Sequence, residues 1–274
     1  MNEPLVTVCI PVFNSVKYIE QTIKSVLAQD FSNVEILIQD NASVDGTWEL
    51  LKLIAGAKPN VAIKRNKKNI GMSANWNAVI NRAQGDYVML LSADDVLDPG
   101  FLSSCISAFE TEEVYFVSTH FWHLGNTGSV EQRPASILGA DAFYQNFTCE
   151  VLRANPFQIN FTLFKKSIIK KMRRNGNLFS PYITCDYDLF LRLGISGVRM
   201  KYIGNPLGYY RIHESNTSNN QKKLQWHGII VLAKLFLPLI ISCPKIYLKT
   251  IFFVGKRLLI ELLKISLLTK FYNN

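Results

Sequence analysis

The sequence predicts an α/β fold in which parallel strands alternate with helices. Short runs of β-branched and other apolar residues, such as VTVCIP at 6–11, have the length and composition of buried strands. Between these runs, apolar residues recur at helical spacing, as at Val16, Ile19 and Ile23. Strands that alternate with helices pair in parallel and are covered on both faces of the sheet, so the alternation indicates this class.

The alternation is regular up to residue 91 and looser beyond residue 114. The predicted elements are strands at 5–11, 33–40, 61–66 and 87–91 with helices at 16–29, 46–56 and 72–84, then a strand within 114–125, a short helix at 140–146, a strand running into a helix over 161–172, a helix at 185–195 and a strand from 208 into a polar loop. Ligands bind beyond the carboxyl ends of the strands in such sheets. Polar residues follow the first four strands and are predicted to meet at one rim.

Composition indicates a globular protein with a basic C-terminus. Of the 274 residues, 48% are hydrophobic and 19% are charged, which suits a sizeable core and excludes a disordered chain. The net charge is +9, but residues 228–274 carry seven Lys or Arg and one acid, leaving +3 for the rest. The sequence therefore does not indicate a nucleic-acid-binding body.

The cysteines predict a reducing environment. There are five, an odd number, and no two form a C-x-x-C pair, so we expect neither a disulfide framework nor a zinc site. The N-terminus lacks a basic segment followed by an apolar one, so we expect no secretory signal.

The C-terminal segment predicts membrane association. The apolar run at 228–243 is interrupted by Lys234 and Pro238 and is shorter than the ~20 residues of a spanning helix. Residues 245–271 combine a broad apolar face with regularly placed Lys and Arg, which is typical of an interfacial helix on anionic lipid. The alternative is that these helices form a dimer contact or part of the core.

Two adjacent carboxylates, Asp94 and Asp95, end the apolar run YVMLL at 87–91. Like charges repel, and Asp is a poor strand former, so a positive partner is expected. A divalent cation shared with a ligand's diphosphate is one interpretation, because Mg²⁺ and Mn²⁺ prefer oxygen ligands. The other is an ordinary turn before a helix that begins near Asp98 and Pro99.

Four other residues have both a binding and a structural interpretation. Asp40 ends a strand, where it accepts a hydrogen bond from a base N–H or caps an Asx turn. In the binding interpretation, sugar or phosphate groups are oriented by Asn69, Gly71 and Asn77. In the structural interpretation, Gly71 is the turn from a loop into a helix and Asn77 is a helix residue.

Three charged or titratable residues lie further along the chain. Asp186, at a predicted helix start, is either a general base or an acid placed there by the helix dipole. Arg211 and His213 alternate on a predicted strand and face the same way, where Arg can hold phosphate.

Taken together, the ordered motifs resemble the family 2 glycosyltransferases, which have the GT-A nucleotide-sugar-binding fold, a mixed sheet flanked by helices. The motifs are VTVCIPVFNSVKYIEQTIKSVLAQ, ILIQDNASVDGT, NIGMSANWNAVI, GDYVMLLSADDVLDPGFL, CDYDLFLRL and YYRIHESNTS, spanning 6–218. The resemblance implies a catalytic domain at 1–220, with a nucleotide-sugar half at 1–110 and an acceptor half at 111–220. A membrane-associating helical tail would follow at 221–274.

The resemblance also implies a role for each matching residue. The implied roles are nucleotide-pocket lining for Pro11, Phe13 and Asn14, base contact for Asp40, proximity to the ribose for Asp94, metal binding for Asp95, general base for Asp186, and donor-diphosphate closure for Arg211 and His213. Two positions depart from the family pattern. Ser92 stands where an acid is usual, which puts metal affinity in doubt, and Cys185 replaces the acid that commonly precedes the catalytic Asp.

The implied activity is an inverting transfer of sugar from a nucleoside-diphosphate sugar, a UDP-sugar by the Asp40 match, with Mn²⁺ or Mg²⁺ as cofactor. The basic tail indicates that the protein lies on the inner face of the cell membrane. The expected acceptor is therefore a lipid-linked glycan or polysaccharide of surface-glycan synthesis. Two alternatives remain: a non-catalytic nucleotide-sugar-binding or scaffold protein, and a nucleotidyltransferase. The second needs a Gly-rich loop after the first strand, and the chain has no glycine before Gly46.

Overall fold

The computed structural model describes residues 4–111, 113–125, 130–131, 140–153, 155–244 and 248. The strands are β1 (Val6–Val12), β2 (Val34–Asp40), β3 (Val61–Arg65), β4 (Tyr87–Leu90), β5 (Val96–Leu97), β6 (Phe116–Leu124), β7 (Val130–Glu131), β8 (Ala142–Tyr144), β9 (Thr162–Lys165) and β10 (Met200–Arg211). The helices are α1 (Ile19–Leu27), α2 (Thr47–Ala57), α3 (Met72–Ile80), α4 (Phe101–Thr111), α5 (Thr148–Arg153), α6 (Lys166–Met172), α7 (Cys185–Ile195), α8 (Gln221–Lys234) and α9 (Phe236–Ser242).

All ten strands of the described residues belong to one mixed sheet. Its order is β3-β2-β1-β4-β9-β6-β10-β5, with β7 paired to β6 and β8 to β10. The pairs β1–β2, β1–β4 and β2–β3 are parallel, which confirms the prediction for the first part of the chain. Strand β9 runs antiparallel to both β4 and β6, so it joins the parallel half to the β6–β10 pair and makes the sheet mixed.

The sheet has a hydrophobic core on each face. Alternate residues of β1 face opposite ways, so that Val8 and Ile10 pack with α1, α2 and α4, whereas Cys9 packs with α3 and the later helices. Helix α5 approaches α7 closely at Gly194, where an added Cβ would lie 2.7 Å from the Thr148 hydroxyl. Both sheet faces are therefore covered, as predicted.

The start of the predicted tail packs on the hydrophobic core. Val231 and Leu232 of α8, Leu235 and Leu239 are all buried in the same cluster as α5 and α7. Burial of these side chains ties α8 and α9 to the rest of the core. The division of the chain at residue 220 stays a prediction. The predicted amphipathic stretch at 245–271 lies outside the described residues, apart from Leu248.

A disulfide joins Cys149 of α5 to Cys243, immediately after α9, and this corrects the expectation of none. The two cysteines are 94 residues apart, and their Cα atoms lie 5.9 Å apart because α5 and α9 pack together. No local pattern around either cysteine predicts this contact, since only the tertiary fold creates it. Cysteine usage therefore does not argue for a reducing compartment.

The short helix predicted at 140–146 is also wrong. Residues Ala142–Tyr144 form β8, which pairs antiparallel with Met200, Lys201 and Tyr202 of β10, and the helix begins only at Thr148. Pairing with β10 makes this segment a strand, and β10 lies almost 60 residues further along the chain.

Within the described residues, no single helix has both the length and the hydropathy to cross a membrane. Helices α8 and α9 reach the length and hydropathy of a spanning helix only when they are taken together, and the angle between them at Leu235 is 78°. Pro238 lies in the first turn of α9, where the missing N–H costs no helical hydrogen bond.

Candidate active site

A cavity of about 720 Å³ opens at the carboxyl ends of the parallel strands. Eight of the twelve predicted site residues line it, namely Pro11, Phe13, Asn14, Asn69, Gly71, Asp94, Asp186 and His213. They come from the end of β1 and the loop after it, from the loops after β3 and β4, from the start of α7 and from the segment after β10. The predicted rim therefore exists, and its most distant members in sequence meet there.

The loops after β1 and β2 are hydrogen-bonded to each other. Asn14 has a positive φ of 49°, which Asn tolerates, and its backbone N–H donates to Ser43 Oγ at 2.9 Å. Its side-chain Oδ1 accepts from the Val44 N–H at 2.9 Å, and the Val16 N–H donates to Asp45 Oδ2 at 3.1 Å. These bonds fix the part of the wall formed by residues 11–15.

Carboxamide side chains fix the opposite wall. Asn41 Oδ1 accepts from Asn66 Nδ2 at 3.0 Å and from the Ile70 N–H at 2.9 Å. Asn41 Nδ2 donates to Asn69 Oδ1 at 2.9 Å, and Asn69 Oδ1 also accepts from the Gly71 N–H. The loop with Asn69 and Gly71 is thereby held against the end of β2, and Gly71 supplies the positive φ of 85° before α3.

The acidic pair is split between the cavity surface and the interior. Asp94 lines the cavity, whereas Asp95 is 1% exposed and lies outside the cavity wall. Asp95 Oδ2 accepts from Asn160 Nδ2 at 2.6 Å, and its Oδ1 accepts from the Arg211 N–H at 2.9 Å. Burial, and then the charge of Asp94, raise the pKa of Asp95 well above its ordinary value, against these two hydrogen bonds.

Ser92, at the position where the family usually has an acid, supports Asp95 through Asn160. Ser92 Oγ donates to Asn160 Oδ1 at 2.9 Å, which leaves the Asn160 Nδ2 group directed at Asp95. Asn160 is buried and lines the cavity. Sequence reasoning missed Asn160, because nothing in the local motif marks it.

Arg211 and His213 close over Asp94. His213 Nε2 donates to Asp94 Oδ2 at 2.8 Å, and Arg211 Nε donates to the Asp94 backbone carbonyl at 2.8 Å. The Tyr18 ring stacks on His213 at 5.0 Å and also lies 5.0 Å from the Arg211 guanidinium carbon. Arg211 is itself buried and donates to Gln21 at 2.6 Å, so it holds the segment in place rather than facing the cavity.

Asp186 lies in the first turn of α7 and faces the cavity. Desolvation raises the pKa of its carboxyl, while backbone N–H groups of Asp186 and Tyr187 lower it to a smaller extent. Asp94 and Asp186 thus line the same cavity.

Two predicted binding residues lie away from the cavity. Asp40 is fully buried, where it accepts from the Ser43 N–H at 3.2 Å and pairs with Arg65 Nε at 3.1 Å. Asn77 is buried in α3, where its Oδ1 accepts from the Leu178 and Phe179 N–H groups. Asn77 Nδ2 donates to the Phe179 carbonyl. Both amide atoms of Asn77 are therefore engaged within the protein.

The Asp94–Asp95 pair has the chemistry of a divalent-cation site. Its carboxylate oxygens are ligands for Mg²⁺ or Mn²⁺, and the Asp94 side chain is 24% exposed. The negative charge of Asp94 contributes, after burial, to the raised pKa of Asp95, and a cation between the two carboxylates would offset that repulsion. Among the described residues, no three His, Cys, Asp or Glu side chains form a metal-binding group. Mg²⁺ is commonly bound by one or two carboxylates with substrate phosphates, so a pair is sufficient.

The sheet and the carboxylate-lined cavity define an α/β enzyme of the nucleotide-binding type. Residues 7–173 match the family described as Glycosyl transferase family 2, so more than half of the chain is covered. The chain belongs to this family and is a glycosyltransferase. The two alternatives to that class are therefore set aside.

Two bacterial relatives span different shares of their own length. WfaP of Escherichia coli, a "UDP-Glc:alpha-D-GlcNAc-diphosphoundecaprenol beta-1,3-glucosyltransferase", is 28% identical over 223 residues, covering 80% of this chain and 82% of WfaP. Chondroitin synthase of Pasteurella multocida is 28% identical over 225 residues, which are 80% of this chain but 22% of the synthase. The chain thus corresponds to about a fifth of the synthase.

Solved structures confirm the GT-A fold. Residues 1–349 of TarS from S. aureus, in complex with UDP-GlcNAc, have a TM-score of 0.69 at 16% identity, over 86% of this chain and 66% of the TarS 1–349 chain. The mannosyltransferase PcManGT of Pyrobaculum calidifontis, in complex with GDP-Man and Mn²⁺, has a TM-score of 0.66 at 18% identity over 91% of this chain and 70% of the enzyme.

Proposed function

We propose that the protein transfers a sugar from a UDP-sugar to a hydroxyl of a lipid-linked glycan, with inversion at the anomeric carbon. The observation that carries this proposal is the cavity that contains both the Asp94 carboxylate and the Asp186 carboxylate. The relative WfaP, which spans most of this chain, supports a UDP-sugar donor and an acceptor linked through diphosphate to a polyprenol.

The donor would bind against the part of the cavity wall formed by residues after the first strands. Pro11, Phe13 and Asn14 would contact the nucleoside, and Phe13 is 45% exposed and free to stack on a base. Asp94 would lie at the ribose side. Asp40 is bonded to Ser43 and Arg65, so direct contact between Asp40 and the base requires these bonds to rearrange. Otherwise Asp40 would act on the base indirectly, through the neighbouring Asn41 and Ser43.

Asp94 and Asp95 would hold Mn²⁺ or Mg²⁺ together with the donor diphosphate. When bound, the cation would stabilise the negative charge that develops on the departing diphosphate. The chain's contribution is to fix the carboxylates: Asn160 and the Arg211 N–H orient Asp95, and His213 orients Asp94. Because His213 donates through Nε2, its Nδ1 accepts from Ser215 Oγ in the neutral ring, at 2.9 Å.

Asp186 would remove the proton of the acceptor hydroxyl as that oxygen attacks the anomeric carbon. One displacement, with the base on the acceptor side and the diphosphate on the other, inverts the configuration at that carbon. The raised pKa of Asp186 makes its carboxylate a stronger base than an exposed aspartate.

We further propose that the enzyme lies on the inner face of the cell membrane. Trp226, Phe236, Leu237 and Ile241 of α8 and α9 are all more than half exposed, and Lys222 and Lys223 at the start of α8 are exposed as well. Apolar side chains next to lysines fit a bilayer with anionic headgroups better than they fit water.

The test is donor-dependent stabilisation followed by transfer. Thermal unfolding with Mn²⁺ and a panel of UDP-, GDP- and dTDP-sugars should show the largest rise in Tm for one UDP-sugar. That donor should then yield a product of inverted configuration with a polyprenyl-diphosphate-linked sugar. A GDP- or dTDP-sugar as the best ligand would overturn the choice of nucleotide, and a product of retained configuration would overturn the single displacement.

A further inference from the structure

A second groove, of about 660 Å³ and more open to solvent, adjoins the active-site cavity. The two share Ile183, Ser215, Asn216 and Thr217 in their walls. A molecule that reaches Asp186 from this side would therefore lie along the groove.

The sign of the charge differs between the two spaces. Asp94 and Asp186 line the cavity, whereas Lys222 and Lys223 line the groove, where the other lining side chains are neutral. Both lysines are exposed, and neither makes an ion pair with any residue in the part of the chain that the structure describes. Between Ser215 and Lys234 the sequence has three lysines and no acid.

A second anionic group near Asp186 needs its own positive charges. The donor diphosphate would be neutralised at the acidic pair, but an acceptor that also carries a diphosphate would be repelled by Asp94 and Asp186. Two adjacent lysines at the outer end of a groove that joins the cavity supply the missing positive charge. Hydroxyl and carboxamide groups of the same wall, such as Thr217 Oγ1 and Asn220 Nδ2, can donate hydrogen bonds to phosphate oxygens.

We propose that this groove is the acceptor subsite, and that Lys222 and Lys223 bind the diphosphate of a lipid-linked sugar. The sugar then lies along the residues that the two walls share and extends toward Asp186. The lipid extends in the direction of the exposed Trp226, which is on the same helix as the two lysines. This inference rests on the proposed function, because it assigns a place to the acceptor of that reaction.

The test compares two acceptors in neutral detergent. One is the sugar linked through diphosphate to an alkyl chain, and the other is the same sugar as a neutral alkyl glycoside. In Lys222→Gln/Lys223→Gln, we expect kcat/KM for the diphosphate acceptor to fall about tenfold or more, mainly through KM. The neutral glycoside, the Mn²⁺-dependent affinity for donor and the Tm should be unchanged.

The matched control is Lys170→Gln/Lys171→Gln, which removes an exposed lysine pair from α6, away from both spaces. It should behave as wild type. An equal loss with both acceptors, or no loss with either, would overturn the subsite. A loss seen only when anionic vesicles replace neutral detergent would show that the lysines bind phospholipid headgroups instead. Failure of the wild type to bind any donor would contradict the proposed function itself.

Discussion

At the residue scale, the catalytic proposal depends on the environment of Asp186. Burial raises its pKa above the ordinary value of 3.8, so the carboxylate form is lost at a higher pH than in an exposed aspartate. A general base acts only when ionised. The rate should therefore fall as pH decreases through this raised pKa, and the acid limb of kcat/KM should lie above pH 3.8.

We predict that Asp186→Asn lowers kcat by about 10²–10⁴-fold and removes that acid limb, because the amide cannot accept the proton. The affinity for the proposed UDP-sugar donor should stay within about twofold, since Asp186 is assigned to the acceptor side of the reaction. Steady-state kinetics and calorimetric titration of the donor measure the two effects. Unchanged turnover in the variant would remove Asp186 from the mechanism.

Asn160 lies between Ser92 and Asp95 and is hydrogen-bonded to both. Its amide group links the Ser92 hydroxyl to a buried oxygen of Asp95, so Asn160→Ala should leave that carboxylate without one of its donors. We predict that the affinity for Mn²⁺ falls about 10–100-fold, as is typical when a group orienting a ligand is lost. Titration of Mn²⁺ by electron paramagnetic resonance measures this directly.

Ser92→Ala should lower the affinity for Mn²⁺ by a smaller factor than Asn160→Ala does. In this variant Asn160 keeps its bond to Asp95 but loses the bond to Ser92 that orients it. Equal Mn²⁺ affinity in wild type and Asn160→Ala would show that Asp95 does not contact the ion.

At the element scale, Asn77 joins α3 to the segment that precedes α7. It makes three hydrogen bonds to the backbone of Leu178 and Phe179, all of them buried. We predict that Asn77→Ala lowers the free energy of unfolding by about 2–4 kcal/mol, because buried backbone groups lose their partner. Asn81→Ala, at the exposed end of the same helix, should cost less than about 1 kcal/mol. Denaturant unfolding compares them, and equal losses would contradict this role.

The disulfide couples α5 to α9 and therefore holds the C-terminal helices on the core. Protein purified without reductant and then denatured should show three free thiols, from Cys9, Cys105 and Cys185, and five after reduction. Reduction should lower the stability by about 2–4 kcal/mol, because the bond closes a long loop of the unfolded chain.

The control for this effect is Cys149→Ser/Cys243→Ser, whose Tm should not respond to reductant. Five thiols in the unreduced wild type would contradict the pairing.

The success of the sequence predictions depends on how local each feature is. Strands β1 to β4 and the helices between them were predictable because each segment contains its own apolar periodicity. Strand β8 was missed because its conformation depends on β10, and the disulfide was missed because α5 and α9 meet only in the folded chain. The cavity was predicted from polar residues at strand ends, whereas Asn160 and Tyr18 reach it through tertiary packing alone.

At the scale of the whole molecule, the exposed apolar face of α9 is the feature to explain. Ile241 is 73% exposed and Leu237 is 63% exposed, while Leu239 between them is fully buried against the core. The helix thus has its own inner contact and still presents apolar side chains outward. Helices that lie on a bilayer have this arrangement, with lysines nearby to meet anionic headgroups.

We predict that Ile241→Glu weakens binding to anionic vesicles at least about tenfold, because it removes apolar burial in the bilayer and adds a repelling charge. The matched control is Leu53→Glu, since Leu53 is 74% exposed on α2 and therefore introduces the same charge at an equally open site. Vesicle co-sedimentation at fixed ionic strength measures both. If the two variants bind equally well, α9 does not contact the membrane; if only Ile241→Glu is released, and its turnover of a detergent-soluble acceptor is intact, the face acts in membrane placement and not in catalysis.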